Sequence, residues 1–277
     1  MESLAVIPYY HLPVYDLGPI PIDPWATLVC IGFIVGLEVA RARGLRLGLD
    51  VRDVVDGVVV IVGMGFLVGH VVFVLGYHPE RLQEQGIMSI IQVWAGFSSF
   101  GGFLGAVLGT VLFYKLIRKR PFWLHADVIM FGFPFGWIFG RAGCAVVHDH
   151  IGKPTDFFLA VDFPKLGGPR FELGLYEMLW TVVIAIVFWW LSRRPRTPGT
   201  FTVAFCLLYA PARFLLDFLR ATDLAGSDPR FHGLTAAQYG CIALLGAGLG
   251  LGAWLRRHTT PIPTIEGPVS PPPITAP

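Results

Sequence analysis

The chain has 277 residues, 54% of them hydrophobic and 14% charged, with a formal net charge of +2 at pH 7. A mean hydropathy of +0.63 excludes a soluble globular domain and points to a polytopic membrane protein. No nucleic-acid partner is expected.

In chain order, residues 1–22 carry several prolines and no basic leader, so no cleavable signal peptide is expected and the first span directs insertion. Apolar segments of about 17–25 residues cross about 30 Å of hydrocarbon as helix. Such segments fall near 25–41, 56–75, 100–117, 126–147, 174–192, 200–219 and 235–255. Lipid offers the backbone no partners, so the fold class is all-α with about seven transmembrane helices. Gly-rich runs such as GGFLGAVLG then serve close helix contact. Thirteen of the twenty-one Lys and Arg residues follow the first, third, fifth and seventh spans. The positive-inside rule puts those ends in the cytoplasm, the N-terminus outside and the C-terminus inside. Loops 76–97, 148–173 and 220–234 then face outward. A Pro-rich tail, 259–277, is expected to be disordered, leaving 1–258 as one membrane domain. Cys30, Cys144, Cys206 and Cys241 lack metal-ligand spacing and read as small buried hydrophobes, Cys144 alone having polar neighbours.

An ionisable side chain at the centre of a span costs on the order of 2.5–3.5 kcal/mol to insert, so each requires a partner or a function. Arg141 sits near the end of the fourth span, in FGRAGCAVVHDHIGKPTDF, and Arg213 in the sixth, in LLYAPARFLLDFLRATD. Helical spacing puts Tyr209, Arg213, Asp217 and Arg220 on one polar stripe, and Pro211 is expected to break the helix at that depth. In one reading Arg213 pairs with Asp217 and the other groups reach outward to the interface. In the other, the guanidinium groups converge on an anion, because their planar forks match phosphate oxygens. The abundant anion at that depth is a phospholipid headgroup.

Over roughly residues 20–255 the ordered segments resemble the prolipoprotein diacylglyceryl transferases, integral membrane enzymes of bacteria. PWATLVCIGFIVG is similar to the family's first span, WAGFSSFGGFLGAVLG to the start of its third, and GRAGCAVVHDHIGKPTD to its signature. LGLYE and LLYAPARFLLDFLRATD are similar to its late Tyr-Glu and Tyr-x-x-x-Arg segments, and LTAAQYGCIALL to the start of its last span. The resemblance implies that Arg141 is the signature arginine, Tyr209 and Arg213 the essential late pair, and Arg220 a further headgroup-side arginine. Gly101, Gly102, Cys144 and Glu177 are placed with the bound substrate on the same basis. The implied reaction, in the bacterial inner membrane, moves a diacylglyceryl group from phosphatidylglycerol to the Cys thiol of an exported lipoprotein precursor bearing an N-terminal signal peptide. A thioether forms and glycerol 1-phosphate leaves, with no cofactor or metal.

The chain departs from the family pattern at Phe100, where a His is usual, at Cys144 and Val147 for two Asn, at Asp149 for a Glu, and at Trp25 for a Tyr. A thiolate nucleophile needs a proton acceptor, expected here in His148-Asp149-His150 with Asp149 orienting an imidazole. His148 is favoured, because seven residues after Arg141 it shares that helix face, and His150 is placed at the substrate. A solvated turn bridged to Lys153 is an alternative. So is a metal site that adds His78 or His232. FPKLGGPRFELGLYE is expected to be irregular, with Lys165 and Arg170 at headgroups, Tyr176 an interfacial anchor, and Glu177 either a cap or an acceptor for one arginine. A non-catalytic relative that binds phospholipid or a membrane partner is the competing function. A transporter is disfavoured for want of an inverted hydropathy repeat.

Overall fold

A computed structural model describes residues 7–18, 20–93, 96–224 and 227–258; the Pro-rich tail lies outside them. The helices are α1 (Pro24–Arg46), α2 (Val51–Val72), α3 (Pro79–Gln85), α4 (Met88–Ile91), α5 (Ser99–Thr110), α6 (Phe122–Val147), α7 (Leu173–Leu191), α8 (Thr200–Leu216) and α9 (Ala236–His258). Among the described residues, seven helical stretches are long and apolar enough to cross a membrane, α2, α5 and α8 being extended to Tyr77, Ile117 and Leu219 by short π or 3₁₀ turns. Local chemistry starts them where polar residues meet apolar runs. Asp23 caps α1 by accepting from the Ala26 amide at 2.8 Å, with Pro24 at the first helical position. Asp50 caps α2 through the Arg52 amide at 2.9 Å. Contrary to expectation, α8 runs through Pro211 unbroken.

The described chain divides into two compact units, one of residues up to Ala40 together with those from Met130 on, the other Arg41–Ile129. In the second unit α5 packs on α2 along Gly101, Gly105 and Gly109, all buried. A Cβ on Gly101 would lie 2.7 Å from Val72 Cβ, and one on Gly102 3.0 Å from the Phe97 ring. The substrate role placed on this pair therefore meets glycines whose bare faces are covered by protein. Phe100, 60% exposed, points away from that contact. His70 is buried between the carbonyl oxygens of Gly96 (2.7 Å) and Ser89 (2.9 Å), which ties the α4–α5 connection to α2.

In the first unit α1 and α6 cross at Gly32, Gly36, Gly132 and Gly136, where a Cβ on Gly136 would come within 2.4 Å of the Gly32 carbonyl oxygen. This small-xxx-small pairing lets two backbones touch. Beside it Phe131, Ile184, Phe188, Phe201, Phe205 and Tyr209 form the core joining α6, α7 and α8. A small β structure caps these helices, with strands β1 (Ile7–Pro8), β2 (Tyr15–Leu17), β3 (Ile20–Ile22), β4 (Ile151–Pro154), β5 (Val161–Phe163), β6 (Gly168–Glu172), β7 (Arg230–Phe231) and β8 (Leu234–Thr235). One sheet has the order β1-β5-β6-β4, with β1 parallel to β5 and the rest antiparallel.

The segment expected to be irregular is thus β5, a hairpin turn and β6. Gly167 and Gly168 supply the turn at φ 84° and 125°, a region that costs glycine nothing. Arg170, placed at headgroups by the sequence reading, is instead buried on β6, bonded to Asp223 at 2.6 and 3.1 Å and to the Gly152 carbonyl oxygen at 3.3 Å. Gly152 bridges to Arg220, and a Cβ there would meet Phe171 Cβ at 2.6 Å and the Leu219 carbonyl oxygen at 2.8 Å. Neither neighbour is a flexible side-chain end. Gly152→Ala is expected to destabilise the protein by about 1–3 kcal/mol, as overpacking of closed sites does. A lower Tm by scanning calorimetry with the helical signal intact checks this, and an unchanged Tm refutes it.

Candidate active site

Glu177, on the first turns of α7, is buried and gathers three side chains. Arg141 of α6 donates through Nη2 to Glu177 Oε1 at 2.9 Å, Tyr209 of α8 donates to the same oxygen, and Arg213 Nε lies 3.7 Å from Oε2. Arg213 is held from the other side by Asp217 Oδ1 at 2.6 Å, whose second oxygen accepts from the Thr235 hydroxyl. Arg141 also stacks over Trp137, its guanidinium carbon 4.7 Å from the ring centroid, and its buried Nε has no hydrogen-bond partner. Two arginines from two spans therefore converge on one carboxylate, as the cost of each in lipid requires. Arg213 pairs with Asp217, as one sequence reading has it, and Arg141 and Arg213 also share Glu177 as a common anion. The Arg220 side chain pairs with Asp228 at 2.8 Å. Tyr176 donates to the Leu159 carbonyl oxygen at 3.1 Å.

The two histidines part at the end of α6. The helix stops at Val147 because His148 turns to φ 54°, with the Asp149 amide reaching back to the Cys144 carbonyl oxygen at 3.3 Å, a Schellman-type closure. The face shared with Arg141 in the sequence reading therefore does not extend to His148. Its Nδ1 faces Glu172 Oε2 at 2.8 Å and its Nε2 faces the Tyr10 carbonyl oxygen at 3.0 Å, with the Tyr9 ring stacked at 4.9 Å. The Tyr10 carbonyl only accepts, so Nε2 donates to it, and Nδ1 shares a proton with Glu172; neither nitrogen is open to a thiol proton.

His150 is the opposite case. Its Nδ1 donates to Asp149 Oδ1 at 2.5 Å, while its Nε2 faces Arg141 Nη1 at 3.4 Å. A guanidinium has only donors, so Nε2 holds a lone pair beside the arginine cluster. Cys144 Sγ lies 3.7 Å from the same Nη1. The ligand atoms of Cys144, Asp149 and His150 fall within 4.8 Å of one another, so the expected trio of histidines and aspartate is replaced by this one, with Arg141 as the cation its sulfur and imidazole face. His78 pairs instead with Glu80 at 2.9 Å.

Sequence reasoning missed Glu172 and Thr235. Glu172 carries a readable signal, since Arg170 and Glu172 alternate along a strand and both face inward.

The His148 pair lies outside the spans and implies a pH effect. The hydrogen bond to Glu172 is the largest influence and raises the His148 pKa; burial, the largest for Glu172, raises that of the acid. A raised imidazole pKa contributes stability that is complete below its unfolded value of about 6.5 and is lost as pH rises through the folded one. The burial of Glu172 acts in the same direction. Amide exchange of residues 7–10 is expected to accelerate as pH rises above about 6.5 beyond the intrinsic base-catalysed increase, and His148→Gln to abolish that excess. Exchange following only the intrinsic increase in both proteins would remove His148 as the tether.

A sequence profile for prolipoprotein diacylglyceryl transferase matches residues 13–254. The chain is 34% identical over 246 residues to the phosphatidylglycerol–prolipoprotein diacylglyceryl transferase of Chromohalobacter salexigens, covering 87% of this chain and 91% of that one. It is 32% identical to the protein of the same name from Nitratidesulfovibrio vulgaris, over 85% and 90% of the two chains. The like-named protein of Solidesulfovibrio magneticus is also 32% identical, over 93% and 98%.

Proposed function

The chain belongs to the prolipoprotein diacylglyceryl transferase family, and we propose that Arg141, Arg213 and Tyr209 hold the phosphate of its lipid donor while the Asp149–His150 pair deprotonates the acceptor thiol. It is a multi-pass membrane transferase that takes a diacylglyceryl group from phosphatidylglycerol to a prolipoprotein cysteine. The observation that carries the residue assignment is the convergence of two buried guanidinium groups and a phenol on Glu177. In free enzyme that carboxylate is the anion the arginines share. Phosphate oxygens take the donors it does not use, including Arg141 Nε.

His150 Nε2 accepts the thiol proton, and Asp149 keeps the ring in the tautomer that leaves Nε2 free. The thiolate sulfur then attacks the diacylglyceryl carbon bearing the phosphate ester. A C–S bond forms and the C–O bond breaks. The electron pair leaves on the phosphate oxygen of glycerol 1-phosphate, where the arginines stabilise the added charge.

The acceptor is an exported precursor with an N-terminal signal peptide, and the membrane is the bacterial inner membrane. We read the chain as N-out and C-in from its Lys and Arg distribution, which would put the 148–173 loop and the arginine cluster on the side to which precursors are exported. A reporter fused after Arg257 is expected to be cytoplasmic and a tag within 155–170 accessible from outside. Reversed labelling would put the cluster at the wrong leaflet.

Depleting the native transferase of a bacterial host and supplying this chain tests the activity. Restored growth with diacylglyceryl attached to precursors supports it. A membrane-inserted protein that restores neither leaves the non-catalytic, lipid-binding relative as the reading.

A further inference from the structure

A groove of about 640 Å³ runs between α8 and α9 at the end of these helices away from the arginine cluster. Thr200, beside its mouth, precedes Arg213 by thirteen residues on one continuous helix, about 20 Å along the axis. The groove is lined by Ala204, Gly248 and Gly252 and ends at Arg196 and Arg256. Small residues make it possible. Gly248 sits against Cys206 and Gly199 against Leu255, each so close that a Cβ would lie 2.5 Å from its neighbour, so the helices nearly touch and leave a shallow trough outside the contact.

The cationic end is flanked by exposed aromatic residues. Trp190 on α7 and Trp254 on α9 are exposed, and Arg193 stacks over Trp189 with its guanidinium carbon 3.8 Å from the ring centroid. Exposed tryptophans beside arginines at helix ends mark the headgroup region of a bilayer. Arg196 is fixed there by donation from Nε to the Leu191 carbonyl oxygen at 3.0 Å, a bond that does not use its terminal nitrogens. An apolar trough on the lipid-facing surface thus leads to two guanidinium groups at headgroup depth.

We propose that this groove binds an anionic phospholipid as a non-substrate ligand, with one acyl chain along Gly248 and Gly252 and the headgroup phosphate between Arg196 and Arg256. Charge decides the occupant. A zwitterionic lipid brings no net charge to the two cations, and a partner helix laid along the groove would bury both arginines against apolar side chains. The site is independent of the transferase chemistry. Its lipid need not carry the glycerol headgroup of the donor.

The test uses purified full-length protein in nanodiscs containing a trace of phosphatidylserine or phosphatidylcholine with a photoreactive acyl chain, cross-links being mapped by mass spectrometry. Phosphatidylserine is expected to label residues 203–207 and 249–253 about tenfold or more above phosphatidylcholine, as two cations near the surface predict. Arg196→Gln with Arg256→Gln should lower labelling to the phosphatidylcholine level, and the double Lys variant should retain the preference. Ala253→Trp, which fills the trough, should abolish labelling by both lipids without touching the charges. Equal labelling by the two lipids in the parent protein would mark an ordinary lipid annulus and overturn the proposal. So would a preference that survives the double Gln variant.

Discussion

Replacing Arg141 by alanine is expected to lower the rate of diacylglyceryl transfer by on the order of 10³, because a single pre-placed donor to a developing oxyanion is worth about 10²–10³ and Arg141 supplies more than one. Its Nη2 is on Glu177, its Nη1 on the sulfur and imidazole side, and its Nε is without a partner. Lysine restores the charge as a point without the fork, so Arg141→Lys should recover little of the loss. Removing the arginine also leaves Glu177 with Arg213, at 3.7 Å, as its one remaining cation among the described residues. Breaking a buried pair in this way destabilises by about 3–5 kcal/mol, so a melt must accompany the kinetics. Arg141→Ala with Glu177→Gln removes the stranded charge. The double variant should regain thermal stability and stay inactive, which separates lost folding from lost phosphate binding. Recovery of activity in that variant would show that Arg141 serves Glu177 and not the phosphate.

What could be read from sequence follows the physics of each feature. The seven spans were legible because about twenty consecutive apolar residues have few alternatives to a membrane helix. The need for Arg141 and Arg213 to share a partner was legible too, since each is costly alone in lipid. Which partner they share was not. Glu177 after Tyr176 reads equally as a helix cap until folding brings α6 and α8 to α7. The β cap was hidden because its strands have five residues or fewer and are broken by Pro and Gly, so alternation such as that of Arg170 and Glu172 never extends into a longer period-two run. The choice between His148 and His150 turned on one torsion. No glycine follows Val147 to announce the helix end, and a non-glycine residue at φ 54° is not foreseeable from composition.

That torsion gives the remaining prediction, in which the two histidines separate. His150→Gln is expected to lower kcat by on the order of 10²–10⁴, the usual worth of a positioned base, with KM for phosphatidylglycerol little changed. Glutamine can still hydrogen-bond to Asp149 but takes no proton at the Nε2 position. Transfer by the variant should then depend on hydroxide, rising with pH toward the ordinary thiol pKa of about 8.5 as the acceptor ionises unaided. The parent enzyme should depend less on hydroxide, since Nε2, facing Arg141, is placed to take the thiol proton. His148→Gln should leave kcat near the parent value and instead loosen residues 7–10, because both nitrogens of that ring are already engaged, with Glu172 and Tyr10. The comparison is decisive when both variants melt cooperatively. If His148→Gln is the inactive protein and His150→Gln turns over normally, the base is the buried His148–Glu172 pair, and the lone pair beside Arg141 has no part in the reaction.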